Sequence, residues 1–184
     1  AMPSTGKLVF IWFPKINRIW LSQWNQRRPR LRKKAFGFRW GWPMQCMKVG
    51  VIGAGGVAQV EHIPNLLKLH GQFKIVGVYD PSRKVRAFVG EEFGLETFSD
   101  LDALLAMPID AVVIASPDAL HREQVLAAFA KGLHVFCEKP LCYGVGDIAD
   151  LIAARDRVGK VLQVGYMKRF DPSYVAALKM LPGS

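Results

Sequence analysis

A rhythm that begins at Met47 narrows the folds open to this chain. Short runs of apolar, β-favouring residues alternate with amphipathic stretches. Lys48-Val49-Gly50-Val51-Ile52 is a compact strand, ended by glycines at 53, 55 and 56. Phe73 to Tyr79 (FKIVGVY), Asp110 to Ala115 (DAVVIA), Leu133 to Cys137 (LHVFC) and Val161 to Val164 (VLQV) read as further strands. Asp118 to Lys131 reads as a helix, with Val125, Leu126 and Phe129 on one side and Gly132 just past its end. Asp147 to Val158 has Ile148, Leu151 and Ile152 at helical spacing and Gly159 as its stop. Ser99-Asp100-Leu101-Asp102 reads as an N-cap followed by acidic first-turn residues, and Pro64 as the first residue of a new helical turn. Strands that are apolar throughout and separated by helices belong in a parallel sheet covered on both faces. The pattern predicts a doubly wound α/β domain over roughly residues 47–165, with residues 166–184 as a linker and the start of whatever follows.

Composition divides the chain at the same place. Of 184 residues, 51% are hydrophobic and 22% charged, which excludes wholesale disorder. The formal charge of +10 suggests a nucleic-acid partner until it is mapped. Residues 1–46 hold ten basic residues, no acidic one and all five tryptophans, whereas residues 47–184 hold fifteen charges of each sign. The apolar run Leu8 to Phe13 is far short of the ~20 residues needed to span a bilayer, and a secretory signal fits poorly. The run Arg27-Arg28-Pro29-Arg30-Leu31-Arg32-Lys33-Lys34 can lie on an anionic membrane, bind phosphate backbones, or be upstream sequence ahead of a start at Met44 or Met47. The last reading is preferred, because a buried strand begins directly after Met47; the expectation is therefore no nucleic-acid partner and no membrane span. Cys46, Cys137 and Cys142 are too few and too unevenly spaced for a disulfide scaffold, and with four scattered histidines they give no metal-ligand spacing. A reducing, cytoplasmic setting without a bound metal is expected.

Gly53-Ala54-Gly55-Gly56-Val57-Ala58 is G-x-G-x-x-A, placed between the first strand and the first helix. Gly53 permits a tight turn, Gly55 lets the backbone approach a diphosphate, and Ala58 is small enough for helix and strand to pack closely. The helix N-terminus then offers unpaired N–H groups and a positive dipole end. Asp80, at the end of the second strand, can accept hydrogen bonds from an adenosine ribose, although its distance along the chain from Gly53 exceeds the usual ~20 residues. The Pro64 interruption and the loop near Gly71 are expected to absorb the excess. A carboxylate there repels a 2′-phosphate, so NAD is favoured over NADP, while Arg83 partly offsets the repulsion. The alternative is a glycine turn that only connects strand to helix, with Asp80 capping the next helix at Pro81.

Glu138-Lys139-Pro140 follows a strand on the carboxyl side of the sheet, where open α/β sheets bind ligands. Oxidising an alcohol requires a group that polarises or deprotonates the hydroxyl while hydride leaves carbon, and a lysine beside a nicotinamide can do so. A solvated loop with an ordinary Glu and Lys is the competing reading.

The ordered set GVIGAGGVA, VYDPSR, VVIASPDALHRE, GLHVFCEKPL and GYMKRFDPSY resembles the Gfo/Idh/MocA oxidoreductases, from Met47 to about Tyr174. The resemblance implies a nicotinamide-binding Rossmann domain joined to a C-terminal α/β domain that holds the substrate and often mediates oligomerisation. It implies that Lys139 contacts the reacting hydroxyl, that Glu138 lies near the nicotinamide ribose, and that the Lys139–Pro140 bond can be cis. Ser116, Pro117 and His121 would line the cofactor cleft, although a cap or packing role on its helix is the preferred reading of His121. Met167 and Lys168 would face the substrate. Many members carry Arg where this chain has Lys168, which weakens an assignment to a cyclic polyol, because an ammonium does not reproduce a guanidinium fork. Arg169 and Asp171 can equally form a structural ion pair.

Family members run to roughly twice the length of one such domain, and their second domain usually supplies an Asp-x-x-x-His pair whose His is the general base. This sequence has no histidine after His134. The expectation is an NAD-dependent oxidoreductase that transfers hydride between a secondary alcohol of a sugar or cyclic polyol and nicotinamide. Its second domain would be truncated, the 184 residues would be inactive alone, and it would form a homo-oligomer through the missing part. A non-catalytic NAD-binding module or redox sensor is the competing reading. A third reading places function in the basic head.

Overall fold

The computed structural model of the protein describes residues 46–178 and Met180. The readings of the basic head, apart from Cys46, lie outside the described residues. Six strands form one sheet: β1 (Met47–Ile52), β2 (Phe73–Tyr79), β3 (Thr97–Phe98), β4 (Ala111–Ile114), β5 (His134–Cys137) and β6 (Leu162–Val164). Their spatial order is β3-β2-β1-β4-β5-β6, and every pairing is parallel. The helices are α1 (Ile63–Lys68), α2 (Arg83–Phe93), α3 (Leu101–Leu105), α4 (His121–Ala130), α5 (Val145–Val158) and α6 (Pro172–Leu178). This is the doubly wound sheet that the alternation predicts. Among the described residues, no helix is long and apolar enough to cross a membrane.

The pleat explains why the strands are apolar on both sides. Val49 and Val51 of β1, Ala111 and Val113 of β4 and Phe136 of β5 share one core with Ile63 and Leu66 of α1 and Val89 of α2. Their strand neighbours Ile52, Val112, Ile114, Val135 and Cys137 share the opposite core with Leu104 of α3, Val125 and Phe129 of α4 and Leu151 of α5. Val51, Ile52, Val112, Ile114 and Val135 have no exposed surface. Burying one such side chain stabilises the fold by about 1.5–3 kcal/mol, so the central strands alone contribute heavily to a domain whose net stability is about 5–15 kcal/mol.

Several elements differ from the sequence expectation. Strand β3 is two residues long, too short to show a period, and it pairs with the carboxyl end of β2. A Cβ on Gly77 would collide with the Phe98 ring, so that glycine makes room for the β3 edge. The expected helix Asp118–Lys131 is a 3₁₀ turn, Asp118–Leu120, followed by α4. Helix α5 starts at Val145, directly after Gly144, and Asp100 rather than Ser99 caps α3, accepting the Asp102 N–H at 3.3 Å. Gly159 stops α5 in the left-handed region (φ 64°), as its position predicts. Pro64 does not begin a new turn after a break. It is the second residue of α1, which continues without interruption from a π-helical turn over Ala58–His62, closed by the Ile63 N–H on the Ala58 carbonyl.

Candidate functional site

Parallel register brings three loops to one edge of the sheet. Ile52, Ile114 and Cys137 are in register across β1, β4 and β5, so the residues after each strand emerge side by side. The ladder continues into the loops: Ala115 N–H bonds to Ile52 O at 2.8 Å, Glu138 N–H to Ile114 O at 2.9 Å, and Gly165 N–H to Cys137 O at 2.8 Å. Strands β1 and β4 flank the point where the strand order reverses, the position at which such sheets bind ligands.

Gly53 is required at this edge for two reasons. Its φ is +83°, and a Cβ there would lie 2.5 Å from the Ser116 nitrogen and 2.6 Å from its Cα. At Gly55 and Gly56 the situation is the reverse, since an added Cβ would meet nothing within 4 Å. The missing side chains there leave open space over the start of the first helix, where Val57 is 51% exposed. Beneath it, Ala54 and Ala58 are fully buried. The turn is braced by Gln59, whose Nε2 donates to the Ala54 carbonyl at 2.7 Å, and by Asp80, whose Oδ2 accepts the Ala54 N–H at 3.0 Å. Oδ1 of Asp80 accepts the Ser82 N–H at 2.9 Å. Asp80 does not cap α2; Ser82 does, accepting the Val85 N–H at 3.4 Å. Arg83 is exposed at the first position of α2, just beyond Asp80 on the chain, and Arg86 donates to the Asp80 and Pro81 carbonyls at 2.8 and 2.9 Å. Bare main chain, a helix start and a carboxylate fixed beside them suit the diphosphate and adenosine ribose of a dinucleotide.

The second loop carries Glu138, Lys139 and Pro140. The Lys139–Pro140 bond is cis, and the Lys139 side chain is exposed. Glu138 is held at both oxygens: Oε1 lies 2.9 Å from His62 Nε2, and Oε2 accepts the Lys139 N–H at 3.1 Å. Burial is the largest single influence on its carboxyl and pushes the pKa up. The His62 hydrogen bond and charge, the Lys139 N–H and the Lys139 charge together outweigh it and hold the pKa below the ordinary glutamate value. His121 is fully buried, and its ring nitrogens lie 2.7 Å from the Pro140 carbonyl and 2.9 Å from the Ser116 carbonyl. The residue therefore lies between the loops that follow β4 and β5. Ser116 Oγ donates to Gln124 Oε1 at 2.5 Å, and Pro117 is exposed beside it. Burial raises the Cys137 thiol far above its usual range and Cys142 more modestly, which makes neither a ready nucleophile.

Met167 and Lys168 lie beyond β6 in a 3₁₀ turn, Met167–Phe170. Met167 is 52% exposed. Lys168 Nζ is 3.0 Å from Asp171 Oδ2 and 5.2 Å from the centre of the Tyr174 ring. The ion pair expected between Arg169 and Asp171 is thus made by Lys168 instead, because the tight turn brings its shorter ammonium back over the start of α6. Among the described residues, no group of three or more His, Cys, Asp or Glu side chains could hold a metal ion.

Sequence reasoning placed the glycine turn, Asp80 and the Glu138–Pro140 loop, and missed His62, Gln59, Arg86 and Gly165. His62 follows Ala58 at helical spacing and so reads as facing inward, but nothing local marks Glu138 as its partner.

Residues 47–166 match the family described as "Oxidoreductase family, NAD-binding Rossmann fold", the Gfo/Idh/MocA group. An inositol 2-dehydrogenase of Streptomyces avermitilis is 36% identical over 141 residues, covering 74% of this chain and 40% of the relative. The crystal structure of scyllo-inositol dehydrogenase from Lactobacillus casei, with bound NAD(H) and scyllo-inositol, superposes with a TM-score of 0.68 at 29% identity, over 73% of this chain and 40% of that one. A 3-ketoreductase from Actinomadura kijaniata, crystallised with NADP, superposes with a TM-score of 0.69 at 27% identity, over 74% and 42%. The chain spans about 40% of the length of the curated relatives it matches.

Proposed function

Because the chain belongs to the Gfo/Idh/MocA oxidoreductase family and carries its NAD-binding Rossmann fold, we propose that it is the coenzyme half of an NAD-dependent dehydrogenase acting on a secondary alcohol of a sugar or cyclic polyol. The observation that carries this reading is one sheet edge holding both the open main chain at Gly55 and Gly56 and the exposed Lys139. The diphosphate rests on the main chain from Gly53 to Val57. Asp80, already fixed by the Ala54 and Ser82 N–H groups, keeps free lone pairs for the adenosine ribose. Its charge disfavours a 2′-phosphate, and Arg83 beside it reduces that bias without removing it. Ser116 and Pro117 form the cleft wall between the two loops, and Glu138 stands at the nicotinamide ribose.

The nicotinamide, when bound, supplies the hydride acceptor. Lys139 Nζ donates to the alcohol oxygen, orienting the carbinol carbon and stabilising the charge that develops on oxygen as its proton departs. Met167 and Lys168 form the substrate side of the cleft, with Lys168 free to leave Asp171 for a hydroxyl, since an exposed ion pair of this kind is worth little. The base that takes the proton comes from a C-terminal domain, which also builds a homo-oligomer. The protein works in the cytoplasm, and the 184 residues alone bind NAD weakly at most and turn over no sugar.

Coenzyme titration of the full-length form, followed by NADH fluorescence, tests the first half. Saturable enhancement with NADH, weaker with NADPH, is expected, and no response to either defeats the reading. A dehydrogenase screen over inositols and hexoses, on the full-length form, tests the second. Lys139→Met should lower kcat by about a hundredfold or more and leave NADH affinity within about threefold.

A further inference from the structure

We propose that His62 is a positioning residue for the reactive loop: its ring holds the Glu138 carboxylate, and through that carboxylate the main chain of Lys139, in the arrangement that presents the lysine. The inference rests on the preceding reading of Lys139 as the group that meets substrate.

The geometry is specific at each step. His62 ends the π-helical turn that leads out of the glycine motif, and its side chain is only 3% exposed. Its ring meets Phe136 edge-on, with centroids 5.5 Å apart and an interplanar angle of 65°, which fixes the ring plane. Nε2 then points at Glu138 Oε1, 2.9 Å away. The same carboxylate uses Oε2 to accept the Lys139 N–H, so one rigid group joins the ring to the loop backbone. Gly165 completes the seat, because a Cβ there would come within 3.2 Å of the carboxyl carbon and both oxygens. On the far side of Lys139, His121 holds the Pro140 carbonyl. The main chain is pinned before and after the lysine, while the lysine side chain itself stays exposed. A packing role needs a ring of this size and no more, whereas this role needs an N–H donor at Nε2. A partly buried carboxylate without that donor is costly to keep charged. The π-helical turn Ala58–His62 joins the glycine motif to His62, and such turns are frequent at functional sites.

The test uses the 184-residue chain without coenzyme, with ¹³C-labelled glutamate and amide exchange read by NMR. In His62→Phe, which keeps an aromatic ring but no donor, the Glu138 carboxyl titration should move up toward the ordinary glutamate range, and Lys139 amide exchange should quicken by about tenfold. His62→Gln, which keeps a side-chain N–H but no charge, should restore the slow Lys139 exchange and bring the Glu138 titration part of the way back. Unchanged titration and exchange in a folded His62→Phe, or a His62→Gln that behaves like His62→Phe, overturns the proposal. If far-UV circular dichroism shows that His62→Phe does not fold, Glu138→Ala takes its place: about tenfold faster exchange at Lys139 supports the coupling, and unchanged exchange overturns it. Failure of NADH to bind would defeat the dehydrogenase reading and leave these outcomes intact, so the two are separable.

Discussion

The two loops at the carboxyl edge of the sheet solve different problems by different means. The glycine turn works through main chain and missing side chains: Gly53 is locked against Ser116, and Gly55 and Gly56 face open space. The Glu138–Pro140 loop works through side chains, and the groups that fix it come from the first helix, from α4 and from the segment after β6. One site is specified by backbone geometry, the other by a tertiary network. The contrast shows that the two loops on this edge have separate structural supports, so each can be damaged while the other persists.

Gly53→Ala should have the largest effect. The left-handed backbone costs about 1–2 kcal/mol for an L residue, and the collision with the Ser116 main chain adds to it, for a loss on the order of 3–5 kcal/mol in urea unfolding. That would consume much of a typical domain's stability and disturb both loops, because Ser116 is also tied to His121. A variant of normal stability would show that the two supports are not joined at this residue. Gly55→Val sharpens the comparison. With nothing within 4 Å of the new Cβ, stability should change by no more than about 0.5 kcal/mol. NADH affinity measured by fluorescence should nevertheless fall about a hundredfold, or ~2.7 kcal/mol, because the new side chain occupies the diphosphate's place.

Asp80→Ala comes next and links fold to specificity. It removes the acceptor of the buried Ala54 N–H, at a cost of about 1–3 kcal/mol. It should also weaken NADH by about tenfold and raise the ratio of NADPH to NADH affinity. Calorimetry with both coenzymes checks the ratio; an unchanged preference would mean that Arg83 and the rest of the α2 start, not Asp80, set it.

How much of this was legible in the sequence follows the same division. The parallel sheet was readable because both faces of β1, β4 and β5 are buried, which leaves long apolar runs. The glycine turn was readable because part of its requirement is local: the positive φ of Gly53 and the small, buried Ala58 belong to one strand–turn–helix unit, whereas the close approach of Ser116 to Gly53 comes from the loop after β4. Strand β3 was not, since Thr97 and Phe98 pair only because β2 lies beside them. The first helix was misread at Pro64, where the π-helical turn lets the chain continue through a residue that usually signals a break. His62 was missed because a histidine's role depends on what faces it, and Glu138 is brought there by sheet register; the buried packing role read for His121 fits its full burial. Asp171 reads as a partner for Arg169, and its pairing with Lys168 was not legible because it depends on the turn that folds the two together.

The smallest expected effect concerns acid. The folded Glu138 pKa lies below its unfolded value, since the hydrogen bond and charge of His62 and the Lys139 N–H and charge together outweigh the opposing effect of burial. In the window between the two values the unfolded state binds more protons than the folded state, so stability rises with pH there. The contribution is fully present above the ordinary glutamate range of about 4.3 and is lost as pH falls through the lower folded value. Urea midpoints measured from neutral pH downward should therefore decline in acid, and Glu138→Gln should remove part of that slope while leaving the midpoint at neutral pH lower than in the parent chain. Because the side chain is 19% exposed, solvent screens part of the interaction and the change in slope should be modest. If the two slopes coincide, the carboxylate is not held more tightly in the folded loop than in the unfolded chain, and the distinction between a loop fixed by charge and a turn fixed by backbone falls with it.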